Sequence, residues 1–215
     1  MDTKIDGRSR LMFIARDITK SYHGRPVLEG VSFALPAGHC LGVAGENGSG
    51  KSTLLRILAQ VDAPDRGDIL FGGRSVLGDR QFLRRSLGYV PQHCDLLPDL
   101  TARQQLELWQ AACGCRGPLP GPVAEFLGFR ELERVKIGEM SGGMQRRVSI
   151  AMALSTSPEI LIMDESTAGL DSRFREGLLS WLEDYLKNGG RLIWCSHLAE
   201  ENARLCGTVL PLGER

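Results

Sequence analysis

The sequence predicts an α/β fold: a mostly parallel sheet flanked by helices, with an N-terminal antiparallel β subdomain and a helical insert. Three observations predict it. Apolar segments at 39–44, 160–165 and 191–195 read as buried strands. Helical apolar spacing follows the first, at 52–59, and resumes after Asp171. Between the first strand and its helix stands Gly45-Glu46-Asn47-Gly48-Ser49-Gly50-Lys51-Ser52-Thr53, which fits G-x-x-x-x-G-K-[ST] in the strand-before, helix-after setting the pattern requires.

The rest of the chain serves that loop. Glycines at 45, 48 and 50 let the backbone curl until successive N–H groups point inward at phosphate oxygens. The positive end of the following helix adds to the same field. Lys51 supplies the charge that reaches the β- and γ-phosphates, and the Ser52 hydroxyl is placed to ligate magnesium. A glycine-rich turn with a chance lysine is the bland reading, and the flanking strand and helix weigh against it. The chain is expected to bind a nucleoside triphosphate.

At 215 residues the chain fits one domain and can bury a substantial core. Lys+Arg and Asp+Glu balance at 26 each, which leaves no charge footprint for nucleic acid or anionic lipid. The opening residues Met1 to Asp6 are too polar for a signal peptide, and no apolar run reaches the roughly 18 residues of a membrane helix. A soluble, cytoplasmic protein is expected. Of the six cysteines, Cys40 and Cys195 fall in strands as small apolar side chains. Cys113 and Cys115, with His93 and Cys94 upstream, match no zinc template. Six reduced thiols without metal are expected.

In chain order, residues 11–17 look like an edge strand, and Tyr22 follows. Alone, Tyr22 reads as a half-buried strand end; beside a nucleotide, its ring could stack on a purine. Residues 27–35 continue the β-rich opening, with a turn at Pro36-Ala37-Gly38. A polar turn at 62–67 leads to strands at 68–71 and 87–90, the second ending at Pro91-Gln92. Residues 93–139 change to short helical patterns, at 100–109 behind a Thr101 cap, at 123–127 and at 131–134, with a sharp break over 117–122. This block reads as an insert and not as an independent domain.

Ser141 then caps a helix running to about Ser155, with Met144, Val148, Ala151 and Met152 as one apolar stripe. Gly142 and Gly143 in its first turn cost about 1 kcal/mol each against alanine. Bare backbone at a positive helix end suits an anion, whereas a merely flexible start explains Ser141 but not both glycines. The 160–165 strand ends in Asp164 and Glu165: the aspartate is expected to hold magnesium from the second side, the glutamate to polarise water. Ser166 to Asp171 turns the chain into a helix with Phe174, Leu178, Trp181, Leu182 and Tyr185 on one face. The last buried strand stops at Ser196-His197. A histidine there can donate to a γ-phosphate, although by itself it reads as a capping or surface residue.

In this order Tyr22 (aromatic loop), Gly45 to Thr53 (Walker A), Gln92 (Q-loop), Met140 to Gln145 (signature), Ile160 to Glu165 (Walker B), Ala168 to Asp171 (D-loop) and His197 (switch histidine) resemble the nucleotide-binding subunits of the ATP-binding-cassette superfamily, which have a P-loop NTPase core. The resemblance covers nearly the whole sequence. It implies one ATPase domain over 1–215, with the core at 1–92 and 140–215 and a helical subdomain at 93–139. It implies ATP held by Lys51 and the loop residues Gly45, Asn47, Gly48, Ser49, Gly50, Ser52 and Thr53. Magnesium would lie at Ser52, Gln92 and, through water, Asp164. Glu165 would be the general base and His197 the γ-phosphate sensor. Ser141 and Gly143 would act at the ATP of a second nucleotide-binding subunit, a copy of this chain or a different one, packed head to tail; Gly142 and Asp171 are also expected to bind ATP.

An integral membrane permease subunit is the implied partner, docked through the helical subdomain, and the cassette would sit on the inner face of the membrane. Met140 and Met144 stand where leucine and glutamine are commoner. Ser166 stands where proline is usual, which is expected to loosen that turn. The given sequence ends at Arg215, soon after His197, so no C-terminal regulatory domain is expected. Ser-Gly-Gly-Met followed by Arg146-Arg147 resembles the drug, polysaccharide and haem exporters. The alternative is a soluble cassette ATPase without transport, as in iron–sulfur assembly. A regulator without turnover is disfavoured by Glu165 and His197.

Overall fold

The computed structural model describes residues 11–213; the polar opening Met1 to Asp6 lies outside them. Two sheets carry the fold. Phe13–Tyr22 (β1), Arg25–Leu35 (β2), Arg66–Phe71 (β4) and Arg74–Ser75 (β5) form an antiparallel sheet in the order β2-β1-β4-β5. Cys40–Ala44 (β3), Leu87–Val90 (β6), Ile160–Asp164 (β7), Arg191–Cys195 (β8) and Thr208–Pro211 (β9) form a parallel sheet in the order β6-β7-β8-β3-β9.

The parallel strands β7 and β8 are buried throughout, as a sheet covered on both faces requires. Their alternate side chains split between two cores. Ile162 and Ile193 face one, Leu161, Met163, Leu192 and Trp194 the other. The strand expected at the sheet edge is interior instead. β1 pairs with β2 through Phe13↔Leu35 and with β4 through Phe13↔Phe71, and Phe13, Ala15 and Ile18 are buried. Its own residues show one buried face, but the second partner lies 47 to 58 positions away, from Thr19↔Arg66 to Phe13↔Phe71, beyond the reach of local pattern.

The helices are Lys51–Leu58 (α1), Arg80–Ser86 (α2), Ala102–Cys113 (α3), Gly121–Phe126 (α4), Phe129–Leu132 (α5), Gly142–Leu154 (α6), Ser172–Lys187 (α7) and Ala199–Leu205 (α8). Helix α1 lies in the core shared by both sheets, where Leu54, Leu55, Ile57 and Leu58 are fully buried against Phe13, Ile18, Val43 and Ile193. Burial of each such side chain is worth about 1.5–3 kcal/mol, so the loop that α1 follows is mounted on a rigid support. The opposite core joins α6 and α7 to the insert through Leu106, Val123, Leu127, Phe129 and Ile137.

Thr101 caps α3 in a full capping box with Gln104, as expected of its sequence. Two helical expectations shift. The helix expected at 131–134 is α5, which begins earlier because Gly128 takes a left-handed backbone (φ 54°) and restarts the chain. Helix α6 has no single apolar stripe: Arg146, Arg147, Ser149 and Ile150 are buried with Val148 and Ala151, because the insert covers the face that would otherwise meet water. All six cysteines are free, and Cys40 and Cys206 lie with their sulfurs 3.2 Å apart. Among the described residues no helix is long and apolar enough to cross a membrane.

Candidate nucleotide site

The glycine loop runs from the end of β3 into α1, and its geometry explains its glycines. A Cβ on Gly45 (φ 151°) would stand 2.5 Å from the Leu212 carbonyl oxygen and from Ser49 Oγ. One on Gly50 (φ 95°) would stand 3.0 Å from Val27 and Leu28 of β2. Lys51 folds back so that Nζ donates to the carbonyls of Gly45 at 2.7 Å and Glu46 at 2.9 Å. The ammonium therefore sits inside the curl, the place where phosphate oxygens can exchange for those carbonyls. Glu46, Asn47 and Gly48 are exposed, and the loop opens on a concavity also lined by Pro26, Val27, Pro211 and Gly213.

The sheet order puts the ends of β7 and β8 beside the loop that leaves β3. Asp164 is only 1% exposed, and its Oδ1 has no hydrogen-bond partner. Burial raises its carboxyl above the ordinary range, although hydrogen bonds from Ser52 and Cys195 pull the other way. The Cys195 thiol is pushed up to about 12, first by burial and then by the Asp164 charge. Asp164, Glu165 and Cys195 form the one close group of three ligand-type side chains among the described residues. A thiol held protonated is a poor ligand for a hard cation, whereas an orphaned carboxylate oxygen beside a serine hydroxyl fits magnesium. His93, Cys94, Cys113 and Cys115 form no such group among the described residues.

Glu165 follows β7 with a left-handed backbone (φ 48°), uncommon for a residue with a side chain. Its N–H donates to the Cys195 carbonyl at 2.9 Å, and its own carbonyl accepts from Ala168 N at 3.1 Å. So held, the carboxylate meets two donors. His197 Nε2 lies 2.7 Å from Oε1, and Gln92 Nε2 lies 3.4 Å from Oε2. Because a carboxylate only accepts, the proton of a neutral His197 belongs on Nε2. The turn expected to be loosened by Ser166 is closed by Ala168 N→Glu165 O and Leu170 N→Thr167 O, and Ser166 is fully buried.

The signature residues lie elsewhere and do not line the concavity around the loop. The Ser141 hydroxyl accepts from Met144 N at 3.3 Å and caps α6. Gly143 has a reason within the chain, which sequence reasoning missed: a Cβ there would stand 2.4 Å from the Gly169 carbonyl oxygen. Gly142 meets nothing within 4 Å. Gly143→Ala is therefore expected to destabilise the isolated chain by about 1–3 kcal/mol, while Gly142→Ala holds or raises its melting temperature. Thermal denaturation of the two variants checks this. The Asp171 carboxylate caps α7 by accepting from Arg173 N and Phe174 N, both at 3.1 Å. Tyr22 ends β1 half exposed, its hydroxyl 3.4 Å from Asp62 and Lys20 Nζ 5.5 Å from its ring centre.

Two arginines carry more than their sequence suggested. Arg146 donates to the carbonyls of Pro91 and Gln92, which ties α6 to the end of β6 where Gln92 begins its reach to Glu165. Arg147 donates to Leu127 O at 2.6 Å and Gly128 O at 3.0 Å and stacks over Phe174 at 3.7 Å. A charged pair on a helix ordinarily reads as a solvated face, so only their position in the signature marked them.

The profile of the family described as ABC transporter matches residues 28–168, well over half of the chain. The chain belongs to the ABC transporter family. A Nod factor export ATP-binding protein I from Paraburkholderia xenovorans is 38% identical over 202 residues, covering 92% of this chain and 66% of the relative. The linearmycin resistance ATP-binding protein LnrL of Bacillus subtilis is 35% identical, covering 92% and 65%. This ABC chain thus spans about two thirds of the length of the curated relatives it matches. Among solved structures, an ATP-binding subunit of an ABC transporter superposes with a TM-score of 0.84 at 27% identity, over 94% of this chain and 85% of that one. A dimeric ATP-binding cassette in a post-hydrolysis state with ADP and phosphate gives 0.80 at 27%, over 93% and 94%. The ABC cassette fold is shared with these solved structures.

Proposed function

We propose that this chain is the ATP-binding and ATP-hydrolysing subunit of an ABC exporter, pairing with a second such subunit around two ATP and driving a separate membrane subunit. The observation that carries the reading is the convergence of Gln92, Glu165 and His197 beside the Lys51 loop. The export sense rests on the names of the relatives.

In this reading ATP enters the concavity with its phosphates in the curl, where Lys51 Nζ turns from the Gly45 and Glu46 carbonyls to phosphate oxygens. Asn47, Gly48, Ser49, Gly50 and Thr53 lend the loop's donors, and Tyr22 stacks on the base. Ser52, Gln92 and Asp164 would hold magnesium, which when bound neutralises charge on the transferring phosphoryl group. The Glu165 carboxylate takes the proton of the attacking water as its oxygen bonds to the γ-phosphorus, and the bond to the leaving ADP oxygen breaks. His197 and Gln92 fix that carboxylate, and the His197 N–H can pass to the γ-phosphate. Such positioned bases contribute about 10²–10⁴ in rate.

Ser141 and Gly142 are exposed and cap an outward helix end, so their phosphate-facing role falls to the ATP of the second subunit. Asp171 acts at the same interface. The cassette comprises 1–92 and 140–215 as core and 93–139 as helical subdomain. The apolar core common to the insert, α6 and α7 supports treating them as one domain. The insert is the docking face for the membrane subunit, which would hold this chain at the cytoplasmic surface of the membrane. Tagged protein purified from detergent extract should bring down a protein with several membrane-spanning helices in stoichiometric amount; recovery with soluble partners alone would contradict transport.

A further inference from the structure

We infer that Glu201 is a positioning residue that sets the Glu165–His197 contact from beneath, an inference that rests on the catalytic reading of that pair. Glu201 lies in the first turn of α8, and its side chain is fully buried. A carboxylate in such a place is costly unless it is well paired. It is paired three ways. Oε2 accepts from Thr167 Oγ1 at 3.0 Å and from Ser196 Oγ at 2.5 Å, and Oε1 lies 2.8 Å from Arg175 Nε.

The partners come from different elements. Thr167 is in the turn after β7, two residues past Glu165; Ser196 ends β8's run, one residue before His197; Arg175 is on α7. The two hydroxyls converge on one oxygen, so the two turns are fixed relative to each other at a single atom. Ser196 is anchored twice more, as acceptor of Leu198 N at 3.1 Å and through its carbonyl to Asn202 Nδ2 at 3.0 Å. Glu201 touches neither Glu165 nor His197, yet both limbs that carry them hang from it. Glu201 is not among the residues lining the concavity at the phosphate loop, so its contribution is to the geometry of the pair and not to nucleotide binding.

Steady-state ATP turnover by the full chain tests this, with nucleotide affinity measured alongside. Glu201→Ala is expected to lower kcat about tenfold with the ATP KM and nucleotide Kd within twofold. Glu201→Gln, whose carbonyl still accepts from both hydroxyls while its amide nitrogen loses only the contact with the partly exposed Arg175, should keep kcat within threefold. Thr167→Val, which removes one of the two limbs, should lower kcat severalfold and decides the matter if the alanine variant does not fold. Glu201→Ala as fast as the parent, a glutamine variant as slow as the alanine one, or an equal loss in affinity and kcat would each overturn the inference. Glu165→Gln is run in parallel: if it abolishes turnover while Glu201→Ala does not, the catalytic reading stands and only this inference falls. If Glu165→Gln turns over normally, the catalytic reading itself has failed.

Discussion

Glu165→Gln is expected to lower phosphate release about 10²–10⁴-fold while leaving ATP affinity unchanged. The substitution is close to isosteric, and the site tolerates it for reasons visible in its contacts. A glutamine carbonyl accepts from His197 Nε2 as the carboxylate does at 2.7 Å, and the weaker 3.4 Å contact with Gln92 lies where Gln92 is open to water. The left-handed backbone at 165 is common to both residues, so no new strain enters. What glutamine cannot do is take a proton from water. Loss of turnover with intact binding is therefore the signature of a base. Undiminished phosphate release would remove Glu165 from that role.

The second large effect falls on Asp164. Asp164→Asn is expected to reduce turnover about 10–100-fold, the range typical of residues that orient a bound metal's shell. The same change should raise the melting temperature of the nucleotide-free protein at neutral pH. Burial raises the folded carboxyl above its ordinary value of 3.8, so the folded chain binds that proton more tightly than the unfolded one. Stability from this group is complete below 3.8 and is lost as pH rises through the folded value. At neutral pH the buried charge is thus a liability, which asparagine removes. For a chain of this size each kcal/mol recovered raises the melting temperature by about 2–4 °C. The gain should shrink as pH falls and vanish well below 3.8, where Asp164 is protonated in both folded and unfolded chains and carries no more charge than asparagine. Calorimetry of both proteins across that range checks the sign.

The parts of this molecule legible in the sequence are those whose chemistry is local. Strand, glycine loop and helix occur within twenty residues, and β3, Lys51 and α1 stand where the pattern puts them. Asp164, Glu165 and His197 were legible because a polar residue ending an apolar strand lies at the sheet's carboxyl edge. Contacts between distant segments were not. The interior place of β1 depends on β4, and the need for glycine at 143 depends on Gly169. Arg146 and Arg147 entered the sequence reading only through the signature, because the carbonyls that bury them, at Pro91, Gln92, Leu127 and Gly128, are distant in the chain. Glu201 carried no motif at all; its role follows from Thr167 and Ser196 converging on it.

Head-to-tail pairing across ATP is the central claim, because Ser141 and Gly142 do not line the concavity at their own chain's phosphate loop. Sedimentation of the Glu165→Gln protein with ATP and magnesium tests it most directly, with Ser141→Arg added on the same background as a control. The account predicts a species of twice the 23.6 kDa chain mass with ATP, reverting to the single chain when ADP replaces it or when Ser141→Arg is present. A single-chain mass under saturating ATP, or a dimer indifferent to Ser141→Arg, would contradict it.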